Sequence, residues 1–475
     1  MPRLIIRGVA EESSRSARIE FSEDGGLDRR LRGQRLWQRG GLAPVGLPPG
    51  PGDAVLATAD GSAPLWIASR RQGQPREEVA AGPDELAPGE SLRDQLHGGR
   101  FLGLLPLVHF LRRVDGAAGW TSPGLRAAIV FDDPNLRGMS YGYLRFRELV
   151  EHAAVHGYHV VMAAIPLDYG FVDRAAVRLF DEHRHQVSLA LHGNNHEAFE
   201  LLRVGSEVQA LALVAQSLRR AARFESRTGL EVSRVICAPH EACAAAVLRA
   251  ALRLGLEAVC LETPLQRRPG IPLLSSPLTG WEPAQLVETG IPILPRYPLA
   301  YPFDDVVLRA FLDQPMIVFG HHQDVAGGLG RLEELAGRIN RLGKVSWGSL
   351  AELARSSFLQ RREGRTLLVR IHGRCVRVPI PEGTDRIIVE VPPLDSEPLA
   401  GDIVAGGARA AVQATPGEAA RACFEGPFRA VETIAWQPPS PVSPAAVPPP
   451  PWRAWPIIRR VMTEVRDRSA PFLRA

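Results

Sequence analysis

Between residues 124 and 355 short, continuously apolar runs recur: "RAAIVFD", "YHVVMAAI", "QVSLALH", "RVICAP", "EAVCLE", "IPILPR", "MIVFGH" and "KVSW". Amphipathic pieces such as "YLRFRELVEHAAVHG" and "EVQALALVAQSLRRAARFESRTG" lie between them. Runs without polar alternation predict strands buried on both faces, and the pieces between them predict helices that cover the sheet. Seven or eight such units in about 230 residues predict a (β/α) barrel, an α/β fold with a parallel sheet.

The flanks have other textures. Residues 1–115 read as an α+β region, with strands at "RLIIRGV", "SARIEFS" and "APLWIAS" and a buried helix at "FLGLLPLVHFLRRV", kinked or broken at its proline. His109 on that run is expected in the core. Residues 365–436 alternate apolar and polar positions in "LLVRIHGRCVRVPI" and "DRIIVEVPPL", which predicts a small antiparallel sandwich. His372 and Cys375 on it are expected to be structural. Residues 437–451, "QPPSPVSPAAVPPPP", predict an extended linker, because proline neither continues a helix nor donates to a sheet. Residues 452–475 predict a tail helix with Ile457, Ile458, Val461, Met462 and Val465 on one face, packed by that face on the core.

A chain of 475 residues suits two to four domains, and 45% hydrophobic residues can fill their cores. The net charge is only +4, and Lys344 is the sole lysine. With no cationic block interleaved with aromatics, nucleic-acid binding is not expected. Five cysteines, Cys237, Cys243, Cys260, Cys375 and Cys423, form no CxxC pair and are expected to be reduced thiols. The first residues lack the apolar stretch of a signal peptide, and no window reaches the roughly 18 apolar residues of a span. The expectation is a cytoplasmic protein. The tail carries six arginines against one glutamate and one aspartate, so peripheral contact with an anionic inner-membrane face is the alternative to packing on the core.

In a barrel of this kind chemistry sits at the C-terminal strand ends. Here those ends carry Asp132 and Asp133, then Asp168, His192, His240 with Glu241, Glu262, Arg296, and His321 with His322. The sharpest element is "HGNNH", His192 to His196 with Asn195 inside it. If the chain turns helical there, both imidazoles share one face and can grip one metal ion. With a carboxylate from a neighbouring strand end they make a two-histidine, one-carboxylate site suited to Zn²⁺. That divides the aspartate pair: one ligates, and the other takes a proton from water.

These residues resemble the polysaccharide deacetylase (NodB-homology) superfamily over about residues 124–355. "VFDD" stands where that family has T-F-D-D, "HGNNH" where it has its metal-binding histidine pair, and "IVFGH" where it has I/L-x-L-x-H. "KVSWGSLAEL" is similar to its closing strand and helix. The resemblance implies Asp132 as catalytic base, Asp133, His192 and His196 as ligands of one divalent metal, and His321 as catalytic acid, with His322 as the competing candidate. Asp168, Asn195, His240, Glu241, Glu262, Arg296 and His322 would support the site or the substrate. The implied partner is an N-acetylated sugar in surface-polysaccharide metabolism.

The family's Arg-x-Pro on strand four, which steadies the base, is "CAPHE" here. His240 or another group must take that role. Two alternatives remain from the sequence. One is a glycoside hydrolase pairing Asp132 with Glu262 or Asp168 across a cleft. The other is a glycan-binding homologue without activity.

Overall fold

The computed structural model describes residues 2–7, 16–40, 46–71, 74–86, 92–116, 119–262, 281–286, 289–300, 303–394 and 398–473. The N-terminal region supplies β1 (Arg3–Ile6), β2 (Ala17–Phe21), β3 (Arg35–Gln38), β4 (Ala54–Ala59), β5 (Ala63–Arg71), β6 (Gln74–Val79) and α1 (Leu105–Asp115). The strands form one sheet in the order β1-β6-β5-β4-β2-β3. Pro106 stands in the first turn of α1, where no intrahelical N–H is needed. It therefore starts the helix, and the expected kink is absent. His109 is buried, accepts from the Asp28 N–H at 3.1 Å and meets Trp66 edge-on.

The barrel follows as β7 (Leu125–Asp132), a hairpin of β8 (Ser140–Tyr141) and β9 (Leu144–Arg145), α2 (Phe146–His156), β10 (Val160–Ala164), α3 (Arg174–Glu182), β11 (Val187–His192) and α4 (Glu207–Thr228). It continues as β12 (Val232–Cys237), α5 (Ala245–Arg253), β13 (Ala258–Glu262), β14 (Gln285–Leu286), β15 (Pro292–Pro298), α6 (Asp304–Phe311), β16 (Met316–Gly320), α7 (Gly330–Arg341), β17 (Val345–Trp347) and α8 (Leu350–Arg355). Seven parallel strands run β7-β10-β11-β12-β13-β15-β16 and return to β7, so the ring closes. The last run, "KVSW", forms β17 and adds to β7 beside the ring.

Side chains alternate across each strand. Ala128, Val130, Val161, Ala163, Ala190, Val235, Cys237, Ala258, Cys260, Leu294, Ile317 and Phe319 fill the inside as one buried cluster. They are mostly small, as a narrow seven-stranded ring requires. Their odd-even neighbours, among them Ile129, Phe131, Val160 and Met162, pack outward in the larger core. Continuing the inward set by two residues at the C-terminal ends reaches Asp132, His192, Glu262 and Arg296, and beyond β16 reaches His321. The alternation that builds the core also aims these groups at the mouth.

The C-terminal region contains β18 (Phe358–Glu363), β19 (Thr366–Ile371), β20 (Cys375–Pro379), β21 (Arg386–Val391), β22 (Leu399–Ala405), β23 (Ala408–Ala414), β24 (Ala420–Glu425) and β25 (Val431–Gln437). They form two four-stranded sheets, β18-β19-β21-β24 and β20-β25-β22-β23. β19 and β21 are parallel, a departure from the antiparallel expectation. The chain crosses to the other sheet for β20 and returns in its original direction.

The proline-rich segment is strapped to the barrel. Arg219 on α4 donates to the carbonyls of Pro444 at 2.5 Å and Val447 at 2.7 Å, and the Val442 N–H donates to the Arg253 carbonyl. After it, α9 (Trp455–Leu473) lies on the barrel mouth. Its orientation overturns the sequence expectation. Pro456, Arg460, Glu464 and Asp467, at helical spacing, face the barrel and are buried, whereas Ile457, Ile458, Val461, Met462 and Val465 face outward. The mouth offers this helix ionic and hydroxyl partners, and the polar stripe satisfies them.

His372 is buried in the C-terminal sheets, and burial pulls its imidazole from 6.5 down to about 3. The unfolded chain therefore binds a proton below pH 6.5 that the folded chain refuses. The stability from this group is complete above that pH and declines as pH falls towards about 3, at about 1.4 kcal/mol per pH unit for one proton. His372→Phe should flatten the fall in melting temperature between about pH 7 and pH 5. Equal slopes for variant and wild type would refute the assignment.

Candidate active site and metal centre

Asp132, Asp133, His192, His196, His240, Glu241, Glu262, His321 and His322 line one cleft of about 590 Å³ at the barrel mouth, together with Arg466 and Asp467 of α9. The two aspartates diverge. Asp133 Oδ1 stands 3.4 Å from His192 Nε2 and 3.1 Å from His196 Nε2. The three residues offer ligand atoms within 4.8 Å of one another. Asp133 Oδ1 is buried without a hydrogen-bond partner, which is costly for a carboxylate. The His192 Nδ1–H donates to the Cys237 carbonyl at 3.1 Å, which leaves its Nε2 lone pair facing the cluster. Burial holds the His192 imidazole well below 6.5, and hence neutral. Burial pushes Asp133 upward, but His196, His192, Arg460 and His321 together outweigh it and keep the carboxyl below the usual carboxylate range. Two imidazoles and a carboxylate with an orphaned oxygen fit a divalent cation.

A loop achieves the convergence, not the helical turn expected from the sequence. After His192 the chain makes no α-helix before α4. Buried Glu200 accepts from the backbone N–H groups of Asn194 at 2.6 Å, Asn195 at 3.0 Å and His196 at 2.9 Å. Gly193, at φ +61°, is required: a Cβ there would lie 2.2 Å from Glu200 Oε1 and 2.7 Å from Pro239 Cγ. His196 itself sits at φ 58°. Of eight non-glycine residues with positive φ among those described, five are Asp133, His196, Phe199, His240 and Glu241. Backbone strain of about 1–3 kcal/mol per residue is thus concentrated around this cleft.

Asp132 turns the other way. Arg296, fully buried, donates from Nη1 to Asp132 Oδ1 at 2.8 Å, and its Nη2 lies 2.8 Å from Oδ2. The same guanidinium bonds Glu241 and lies 4.0 Å over the Phe319 ring. Burial opposes its charge, but Asp132 and Glu241 hold it ionised. Burial pushes Glu241 upward against Arg296. Arg296 from β15 thus faces Asp132, the place for which the sequence offers His240 or another group. His240 does not: its ring faces His196 at 5.2 Å and Phe199 at 4.9 Å.

The remaining candidates separate by position. His321 is exposed in the cleft. His322 is buried, stacked on Tyr143 and edge-on to Tyr141, with Nε2 3.7 Å from Asp467. Gly142 gives its ring room, since a Cβ there would meet it at 2.2 Å. Glu262 lines the cleft, with its backbone N–H on Glu241. Asp168 and Asn195 do not line it. Asp168 is buried between Arg137 at 3.0 Å and Arg460 at 2.7 Å, and Asn195 Oδ1 accepts from Arg220.

The sequence reading missed the contribution of α9. Arg460 donates to the Asp133 carbonyl at 2.7 Å and to Asp168, Tyr141 donates to Asp467 at 2.7 Å, and Arg459 bonds the His196 carbonyl. Arg460, Glu464 and Asp467 repeat at helical spacing within an apolar stretch, and that was the available signal.

The fold is a closed, seven-stranded parallel barrel with a mixed N-terminal sheet and two C-terminal sheets. No family model matches the sequence, and no curated protein matches it. Similar solved structures carry carbohydrate deacetylase or esterase names. Agd3, described as a novel carbohydrate deacetylase, is 10% identical with TM-score 0.43, over 91% of this chain and 82% of its own. A family 4 carbohydrate esterase from Streptomyces lividans in complex with acetate is 11% identical, TM-score 0.28, over 47% and 88%. The catalytic domain of a peptidoglycan N-acetylglucosamine deacetylase from Eubacterium rectale is 11% identical, TM-score 0.28, over 50% and 95%.

Glu200→Ala should release the loop that aims His196 and weaken metal binding by about 10–100-fold. Competition titration against a chromogenic chelator measures this. Unchanged affinity would show that the loop holds its shape without Glu200.

Proposed function

We propose that this chain is a metal-dependent carbohydrate N-deacetylase that hydrolyses the acetamide of an N-acetylated sugar, in the context of surface-polysaccharide metabolism. The observation that carries the proposal is the division of the aspartate pair. Asp133 faces His192 and His196 with an orphaned oxygen, while Asp132, beside it, is clamped by Arg296. Asp133, His192 and His196 would hold the metal, and two nitrogens with one carboxylate oxygen favour Zn²⁺. Such an ion, when bound, supplies Lewis acidity that favours ionisation of water and polarises a carbonyl.

The chain's own residues then have separate tasks. Asp132 accepts a proton as water attacks the acetamide carbonyl carbon. Arg296 fixes the direction of that carboxylate. His321, open to the cleft, delivers a proton to the nitrogen as the C–N bond breaks, leaving acetate and a sugar amine. His322 is held by Tyr141, Tyr143 and Asp467 away from free solvent, which suits a positioning role. A glycosidase pairing of Asp132 with Asp168 is not favoured, because Asp168 is buried between Arg137 and Arg460 and does not line the cleft.

The test is metal analysis of purified protein combined with acetate release from N-acetylglucosamine oligomers. His196→Ala should lose metal. Asp132→Asn should keep metal and lose about 10²–10⁴-fold in rate. Full metal content in His196→Ala, or activity that survives exhaustive chelation, would overturn the proposal.

A further inference from the structure

Among the described residues sixteen large hydrophobic side chains are exposed, and seven of them lie between residues 452 and 465: Trp452, Trp455, Ile457, Ile458, Val461, Met462 and Val465. The other nine are scattered from Ile6 to Val431. This concentration has a structural cause. Arg460, Glu464 and Asp467 are buried in contacts with Asp168, Arg137 and Tyr141. α9 cannot turn its apolar face inward without breaking these contacts, so the stripe is locked outward. Trp455, Ile458, Met462 and Val465 follow i, i+3, i+7, i+10 and form one ridge of about 15 Å.

The charges beside the ridge select what covers it. Both acids of the helix are paired inward, Glu464 with Arg137 and Arg468, and Asp467 with Tyr141 and Arg466. The charged side chains at the outer surface are cationic: Arg453 is exposed and the Arg466 side chain is 72% exposed. A second copy meeting this face about a twofold axis would set arginine against arginine. An anionic surface with an apolar interior meets the tryptophans, the aliphatic ridge and the arginines together. No helix among the described residues is long and apolar enough to cross a membrane, so the contact is interfacial.

We propose that the outward face of α9 docks this protein on an anionic lipid surface, with the barrel mouth carried at that surface. The inference stands independently of the deacetylase proposal. The full-length protein should co-sediment with mixed phosphatidylcholine–phosphatidylglycerol vesicles. Binding should fall at least about tenfold with pure phosphatidylcholine vesicles or in high salt, as screening of the arginines requires. A triple variant, Trp455→Ser with Ile458→Ser and Met462→Ser, should lose binding to the mixed vesicles and keep the wild-type melting temperature. Arg453→Gln with Arg466→Gln should weaken binding to the mixed vesicles alone. Wild-type protein that ignores the vesicles, or a triple variant that binds them as well as wild type, would overturn the proposal. So would a wild-type dimer in light scattering that the triple variant dissolves, since the face would then belong to a second copy.

Discussion

A guanidinium buried at the barrel mouth is the constraint on which the site depends. Arg296 has no exposed surface, and its charge is matched by Asp132 and Glu241. Removing one partner of such a cluster leaves an uncompensated buried charge, which costs several kcal/mol, roughly 3–5. Asp132 is therefore held in direction by a group on β15, while Glu241, at positive φ on the loop after β12, ties the next strand into the same cluster. Because Arg296 occupies Asp132, Asp133 is left to face the two histidines. The divergence of the two aspartates thus follows from one ion cluster.

Around that cluster the chain holds strain in place with ordinary hydrogen bonds. The loop carrying His196 would not stay in its left-handed turn unaided. Glu200 gathers three N–H groups, Arg220 grips Asn194 and Asn195, and Ser217 donates to the Gly193 carbonyl. The partners come from α4 or from the loop's own return, so the outer ring of the barrel supports the geometry within its mouth. Small inward residues such as Ala128, Ala163 and Ala190 leave the ring narrow enough for side chains from β7, β11, β15 and the end of β16 to meet.

α9 closes the arrangement from the far end of the sequence. Residues more than three hundred positions apart, such as Arg460 and Asp133 or Asp467 and Tyr141, share one hydrogen-bonded layer. That layer positions the aspartate loop from outside and places Arg466 and Asp467 on the rim of the cleft. The same contacts fix which side of the helix meets solvent, so the organisation of the site and the character of the outer surface have a common origin.

The barrel and the chemistry of its strand ends were legible in the sequence because both depend on local pattern. Continuous apolar runs mark strands buried on two faces, and alternation carries Asp132, His192, Glu262 and Arg296 inward with the core. The Asp-Asp and His-x-x-x-His spacings named the groups that meet at Asp133. Long-range matching was not legible. Arg296 pairs with Asp132 because the ring sets β15 one strand away from β7, with β16 between them, and no local spacing encodes that. The convergence of His192 and His196 came from a loop pinned by Glu200, where local rules favoured a helical turn. The tail shows the limit most plainly. By itself its periodicity determined that a helix forms with one apolar and one polar face. Which face turns inward was decided by Asp168, Arg137 and Tyr141 waiting at the mouth, since a buried polar layer is satisfied only by partners that the tertiary fold supplies.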